Sequence, residues 1–232
     1  MRQTTKGGSS SPLLDAKNSA PSAPNLTSPA ERPIHLRFVF FSLALFLASC
    51  ATRDTQHHVV ISTCEQKLAL LDRGNLMAIY PVSTSKFGLG DWPGSYRTPL
   101  GELEIVQKIG DGAAPGTVFK DRRQTGEVVA PDSPGRDPIV TRILWLRGRE
   151  PQNANAFVRN IYIHGTPEER NIGLPVSYGC IRMRSSDIVN LCGIVGRGAQ
   201  VTIVDAPLAA VIPGLNSSAQ MAGGNSASMV IR

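Results

Sequence analysis

One histidine and one cysteine, 16 positions apart and each beside a glycine, are the residues of this sequence best suited to covalent chemistry. His164 precedes Gly165, and Cys180 follows Gly179. A thiol becomes a strong nucleophile near neutral pH when a base or a positive charge favours its thiolate. A glycine beside it lets the backbone turn tightly, so that N–H groups can face a substrate carbonyl. The pattern suits a cysteine nucleophile with a histidine base, although an isolated Cys and His are more often structural.

The other histidines leave little choice of base. His35 lies in the N-terminal leader, residues 1–50. His57 and His58 fall at 51–58, which we expect to be a tether between the leader and the folded domain. Only His164 therefore belongs to the expected domain. One His and one Cys cannot fill a metal site without further ligands, and we expect no metal or organic cofactor.

The other cysteines have different expected fates. Cys192 lies on the apolar face of a predicted helix, and Cys64 ends a predicted strand, so burial as small hydrophobic residues is expected for both. A disulfide between them is the alternative for a protein outside the cytoplasm. Cys50 lies in the N-terminal leader.

The elements that position the His–Cys pair are predicted to be mostly short strands. Brief apolar or alternating runs are separated by loops rich in Gly, Pro and Asp, which is typical of strands. The predicted strands are 59–64, 67–71, 76–82, 101–109, 139–146, 160–163 and 199–204. "DRGN" at 72–75 predicts a hairpin turn between the second and third. Many short strands with one helix favour a mostly-β sandwich or barrel.

The predicted helix follows Cys180. Ser185 or Ser186 can cap its start, and Gly196 or Gly198 can end it. Its apolar residues recur at the spacing of one helical face. They are Ile188, Leu191, Cys192 and Val195.

The leader predicts export. Arg37 precedes an apolar run over 38–48, which is too short for a bilayer span and suits a signal-peptide core. The run ends in Leu-Ala-Ser-Cys at Cys50, which resembles the bacterial lipobox and predicts a lipid anchor on that cysteine. A plain secretory signal with a chance cysteine is the alternative.

The chain therefore divides into five predicted parts. Residues 1–37 are a disordered stretch or a long n-region, 38–50 the signal core and lipobox, 51–58 a tether, 59–205 the folded domain, and 206–232 a flexible tail. The formal charge of +6 falls to +3 after residue 50, with 19 Lys/Arg against 16 Asp/Glu. So weak a balance, without a basic cluster interleaved with aromatics, argues against nucleic acid as a partner.

From Val59 to Asp205 the sequence resembles the L,D-transpeptidase catalytic domain family. The resemblance rests on "IHGT" around His164, the gap to "SYGCIRM" around Cys180, and "RTPLGELEI" with its Thr-Pro-x-Gly segment at 98–101. It implies an L,D-transpeptidase-like β-sandwich or barrel with one short helix after the catalytic cysteine.

The resemblance also implies roles. Cys180 matches the nucleophile and His164 the general base, and Gly165 lies where the family orients that His with a backbone carbonyl. The N–H groups of Gly179 and Cys180 would form the oxyanion hole. Arg182 matches a basic position that binds a substrate carboxylate or braces the loop.

Substrate contact is further implied for the two residues before Gly179. Ser177 matches the serine of the family motif. Tyr178 stands where the family often has His, a departure that bears on substrate positioning and on the thiol's pKa rather than on the core pair.

The implied reaction is acyl transfer on peptidoglycan stem peptides at the periplasmic face of the cell envelope. A thioester forms with a tetrapeptide stem, D-alanine leaves, and an amine accepts the acyl group. Two alternatives remain: an L,D-carboxypeptidase with water as acceptor, and a non-catalytic wall-binding lipoprotein. Ala51 after Cys50 weakly favours the outer membrane.

Overall fold

The structure is a computed structural model, and it describes residues 52–215. The predicted disordered start, the signal segment with Cys50, and residues 216–232 of the predicted tail lie outside the described residues. Within the described part, no helix is long and apolar enough to cross a membrane.

The prediction of a mostly-β fold is confirmed, and ten strands form one continuous sheet among residues 52–215. The strands are β1 (His57–Ser62), β2 (Lys67–Asp72), β3 (Asn75–Pro81), β4 (Gly101–Ile109), β5 (Thr117–Lys120), β6 (Arg123–Val128), β7 (Ile139–Gly148), β8 (Tyr162–Gly165), β9 (Ile181–Met183) and β10 (Gln200–Val204). The main path runs β3-β2-β1-β10-β4-β7-β5-β6. A branch leaves β7 through β8 to β9.

Two pairings in this sheet are parallel, β1 with β10 and β8 with β9. The β2–β3 hairpin turns at Arg73 and Gly74, whose φ values of 47° and 81° are left-handed, as the predicted "DRGN" turn requires. The branch matters most for function, because it places the segment after Cys180 beside the segment that carries His164.

The larger core lies on one face of the sheet and is covered by helix α1 (Ser185–Ile194). All four residues of the predicted apolar stripe are buried in this core, from Ile188 to Val195. Burying each such side chain stabilises the fold by roughly 1.5–3 kcal/mol. Helix α1 thereby packs against the sheet, and strand β9 connects it to the loop that carries Cys180.

The cap of α1 differs from the prediction. Arg184, not a serine, is the N-cap residue, and no side chain caps the helix from that position. Instead the Glu169 carboxylate accepts the Ser185 N–H at 2.8 Å. Glu169 belongs to a short 3-10 helix, Glu169–Asn171, so the cap comes from a distant loop that local sequence patterns do not reveal.

The predicted tether and the predicted tail each include residues that lie in regular elements. Strand β1 begins at His57, so His57 and His58 lie in the sheet, and the Asp54 carboxylate accepts the Gly196 N–H at 2.5 Å. The predicted flexible tail continues as helix α2 (Leu208–Val211). Leu208 and Ile212 are buried in a second, smaller core on the other face of the sheet. The alternation of small and apolar residues there was too short to predict a helix.

The predicted core position of Cys64 is wrong. Cys64 is exposed, Cys192 is buried, and both thiols are free, so the alternative of a disulfide between them is not present either. The Cys64 thiol lies 3.4 Å from the Ser62 hydroxyl, in the turn that follows β1. The apolar run that suggested a strand through Cys64 ends two residues earlier.

Candidate active site

Cys180 and His164 lie on the same face of the sheet because β8 and β9 pair in parallel. His164 lies opposite Arg182 in the register, and side chains alternate between faces along a strand. Cys180 precedes Arg182 by two residues and packs with Tyr162, which precedes His164 by two. All four side chains therefore belong to the same side of the sheet, while the intervening Ile163 and Ile181 enter the larger core.

The His164 ring is almost completely buried and has a fixed orientation. Its Nδ1 lies 2.8 Å from the Gly165 carbonyl oxygen. Because a carbonyl only accepts, we assign the ring proton to Nδ1, which leaves the Nε2 lone pair as the basic site. Burial, together with the charge of Arg182, lowers the pKa of His164 to about 4, against the opposing hydrogen bond to Gly165. At neutral pH the ring is an uncharged base.

Gly165 is required by a close approach of the backbone. It pairs with Val140 on β7, and a Cβ at Gly165 would lie 2.7 Å from the Val140 carbonyl oxygen and 3.0 Å from the Thr141 Cβ. A larger residue would force β7 and β8 apart. The carbonyl that orients His164 is thus held by a contact that only glycine permits.

The Cys180 thiol is partly buried, and its Sγ lies 3.3 Å from the Asn160 carbonyl oxygen. Burial raises the pKa of Cys180 to about 11, although the Tyr162 N–H and the charges of Arg182 and Arg159 act to lower it. The group is therefore a neutral thiol at neutral pH. Together with an uncharged His164, it forms a thiol–imidazole pair rather than a thiolate–imidazolium pair.

The loop that carries Cys180 is held by buried hydrogen bonds. Gly179 has a φ of 113°, a conformation that favours glycine, and its carbonyl accepts the Thr98 hydroxyl at 3.0 Å. Thr98 Oγ1 also accepts the Ser85 N–H at 3.0 Å. Thr98 is the first residue of the Thr-Pro-x-Gly segment, and its hydroxyl ties that segment to the loop before the thiol.

Ser177, predicted to contact substrate, is fully buried. Its hydroxyl donates to the Cys180 carbonyl oxygen at 2.6 Å and accepts the Gly179 N–H at 3.2 Å. Ser177 therefore braces the loop from inside and cannot contact substrate in this conformation. The Gly179 N–H, one of the two predicted oxyanion donors, would have to exchange this long hydrogen bond for one to an oxyanion.

Arg182 was predicted either to bind a substrate carboxylate or to brace the loop, and its contact is with a carboxylate of the chain. Its Nη2 lies 2.6 Å from Asp137 Oδ2, and the other Asp137 oxygen accepts the Thr166 hydroxyl at 2.6 Å. Asp137 lies in the loop before β7, and nothing in its local sequence distinguished it. The pair leaves the Arg182 charge largely neutralised.

A second buried ion pair involves Arg159, whose charge acts to lower the pKa of Cys180. Arg159 Nη1 lies 2.6 Å from Asp91 Oδ1, and both side chains are less than a tenth exposed. The other end of the Arg159 guanidinium donates to the Arg97 carbonyl oxygen at 2.7 Å. This pair joins the segment between β3 and β4 to the segment before β8, and it too was not predicted.

Tyr178 is more than half exposed, in contrast to Ser177 beside it. Its hydroxyl accepts a hydrogen bond from Lys86 at 3.0 Å. Across residues 52–215, no three His, Cys, Asp or Glu side chains cluster as a metal site.

Comparison with known proteins identifies the family. Residues 56–203 match the family model described as the L,D-transpeptidase catalytic domain. The Bacillus subtilis protein YkuD is 25% identical over 147 residues, which cover 63% of this chain and 65% of that protein. The Escherichia coli protein YbiS is 29% identical over 163 residues, 68% of this chain and 48% of that protein. Both carry L,D-transpeptidase in their names.

Solved structures that are named as L,D-transpeptidases are also similar to this chain. L,D-transpeptidase 3 from Mycobacterium tuberculosis, in complex with a faropenem-derived adduct, has 16% sequence identity and a TM-score of 0.43, covering 64% of this chain and 60% of its own.

The chain belongs to the L,D-transpeptidase catalytic domain family. Its candidate active site is the face of the parallel β8–β9 pair that carries His164 and Cys180. The chain spans about two thirds of YkuD and about half of YbiS.

Proposed function

We propose that this protein is a peptidoglycan L,D-transpeptidase that forms a thioester on Cys180. The observation that carries the proposal is the shared face of His164 and Cys180, with the ring held so that its basic nitrogen is Nε2. Membership of the family supports the reaction class.

In the first half-reaction, the Cys180 sulfur attacks the carbonyl between the diamino acid, typically diaminopimelate, and the terminal D-alanine of a tetrapeptide stem. His164 takes the thiol proton as the sulfur–carbon bond forms. The C–N bond then breaks, and the same proton goes to the departing D-alanine nitrogen, which leaves a thioester and neutral His164.

In the second half-reaction, an amine of a second stem peptide attacks the thioester carbonyl. His164 takes a proton from this amine and returns it to the sulfur as the C–S bond breaks. The cycle ends with the original thiol–imidazole pair and a new amide bond, so no redox partner is needed.

The uncharged state of both the Cys180 thiol and the His164 ring affects how the proton is transferred. Because the pKa of Cys180 is raised to about 11 and that of His164 is lowered to about 4, little thiolate exists before substrate binds. In the proposed reaction, proton transfer therefore accompanies attack, and His164 acts as a base rather than as a counter-ion.

Product analysis tests the proposal. The purified protein is incubated with tetrapeptide muropeptides, and the products are read by mass spectrometry. Cross-linked dimers with released D-alanine support the transpeptidase. Tripeptides without dimers would indicate a carboxypeptidase, and unchanged substrate would indicate a wall-binding protein.

We further propose that Cys50 carries a lipid anchor that holds the domain at the periplasmic face of the envelope, with the outer membrane favoured. The proposal rests on the apolar run that ends in Leu-Ala-Ser-Cys. A tagged fatty acid should label the wild-type protein and not the Cys50→Ala variant. An unlabelled wild type would contradict the anchor.

A further inference from the structure

Three exposed aromatic rings form a surface beside the candidate active site that the proposed chemistry does not use. Phe87, Tyr96 and Tyr178 contact one another with ring centroids 5.4–5.9 Å apart. Their exposed fractions are 42%, 56% and 55%. Exposed apolar clusters of this kind commonly mark binding sites. Tyr178 is two residues from Cys180, so a ligand on these rings would lie close to the thiol.

Lys86 lies at the edge of this surface and has a fixed position. Its Nζ donates to the Tyr178 hydroxyl at 3.0 Å and lies 4.4 Å from the Tyr178 ring centroid. Its backbone N–H donates to the Ser177 carbonyl oxygen at 3.1 Å. Both the main chain and the ammonium of Lys86 are therefore attached to the loop that carries Cys180.

The charge of Lys86 is not matched by an acidic side chain. Within residues 52–215, none of the ion pairs includes Lys86, whereas Arg182 is paired with Asp137 and Arg159 with Asp91. Arg122 also lacks a carboxylate within 4 Å in that part of the chain. Its guanidinium, however, lies 4.6 Å from the Trp145 ring centroid and donates to the Tyr162 hydroxyl.

The polar groups at this edge are donors. An ammonium has three N–H groups, and one of them is used by the Tyr178 oxygen. Because that oxygen accepts, the Tyr178 O–H is oriented away from Lys86 and can donate to a ligand. A set of donors with a net positive charge suits an anion, whereas a sugar hydroxyl would also need acceptors.

We propose that Lys86 and Tyr178 bind a carboxylate of the donor stem peptide, with the three rings packing against the peptide chain beside it. The proposal rests on the proposed function, because it takes the stem peptide as the substrate. It assigns recognition of the substrate's charge to Lys86, since Arg182 is already neutralised by Asp137.

Equilibrium binding to a variant that cannot react tests the proposal independently of catalysis. The Cys180→Ser protein, with and without Lys86→Gln, is titrated with the tetrapeptide and with versions amidated at one carboxylate each. Lys86→Gln should weaken binding of the unmodified peptide about tenfold, as expected for loss of a charge-assisted hydrogen bond at a solvated site. For the peptide amidated at the carboxylate that Lys86 binds, Lys86→Gln should not change the affinity.

Lys67→Gln is the matched control, because Lys67 is another exposed lysine whose ion pair, with Glu65, lies at the start of β2. It should leave binding unchanged. Equal affinities with and without Lys86, undetectable binding of the unmodified peptide, or equal effects of Lys86→Gln on every amide would overturn the proposal. Failure of the proposed function would show separately, as wild-type protein that binds the peptide without forming an acyl-enzyme.

Discussion

Asp137 and Arg182 form an ion pair, 2.6 Å from oxygen to nitrogen, whose cation lies on the same face of the sheet as the candidate nucleophile and base. The charge of Arg182 acts to lower both the pKa of Cys180 and the pKa of His164. Because Asp137 counters that charge, we expect it to help keep the thiol protonated. We therefore expect a loop residue outside the catalytic motifs to influence the thiol of the candidate active site.

Asp137→Asn should destabilise the fold and acidify the thiol. Both side chains of the pair are mostly buried, so removing one charge leaves the other poorly solvated, at a cost of about 2–3 kcal/mol in the free energy of unfolding. The pKa of Cys180, measured from the pH dependence of its alkylation, should fall. Glu127→Gln, at the exposed pair with Arg136, should cost less than about 1 kcal/mol. A Cys180 pKa that stays the same or rises in Asp137→Asn would contradict the account.

Thr98→Val should loosen the loop before Cys180. The exchange keeps the shape of the side chain but removes the donor to the Gly179 carbonyl and the acceptor for the Ser85 N–H. Two buried backbone groups would lose their partner, which should cost about 2–4 kcal/mol in the free energy of unfolding. Thr98→Ser keeps the hydroxyl and should recover most of the loss. Equal losses in both variants would show that the methyl group, not the hydroxyl, matters.

His164 should make the folded state sensitive to acid. Its pKa is about 4 when folded and about 6.5 in the unfolded chain, so between these values only the unfolded state binds the proton. The neutral, buried His164 therefore stabilises the folded state fully above pH 6.5. As the pH falls from 6.5 to 4, the free energy of unfolding decreases by about 3 kcal/mol. His164→Gln should remove it. Denaturant unfolding of both proteins between pH 7 and 4 is the measurement, and parallel pH profiles would refute the prediction.

The three cysteines of the described part should differ in reactivity. Cys64 is exposed, so a small alkylating agent should modify it readily, ahead of the partly buried Cys180. Cys192 is buried, and burial raises its pKa to about 12, so it should react only on unfolding. Peptide mapping after brief treatment gives the order. In a Cys64→Ser background Cys180 should be labelled first, and earlier labelling of Cys192 would mean that helix α1 opens locally.

The sequence predicted what depends on local pattern. The strands with alternating apolar residues and the helix stripe from Ile188 to Val195 were found because their periods are visible in the chain. Strands β5 and β9 are only four and three residues long, and all six residues of β6 are exposed, so none of them shows such a period. Their existence follows from pairing, of β5 with β7, of β6 with β5 and of β9 with β8, which is a tertiary effect.

The candidate active site was likewise predicted only where a local motif marks it. The glycine neighbours and the family resemblance pointed to His164 and Cys180, but they also suggested substrate contact for Ser177, which is buried. Asp137 and Asp91 were missed, because each is paired with an arginine that is more than 40 positions away along the chain. Sequence spacing reveals residues that act as a local motif and misses the partners that long-range folding supplies.

Intact-protein mass spectrometry of the protein mixed with a tetrapeptide stem tests the central claim most directly. We expect an acyl-enzyme whose added mass is that of the stem without D-alanine. Peptide mapping should locate the acyl group on Cys180. Cys180→Ser should lose the adduct and the release of D-alanine, whereas Cys192→Ser should keep both. If the Cys180→Ser protein releases D-alanine at the wild-type rate, the nucleophile is another residue and the proposed mechanism is wrong.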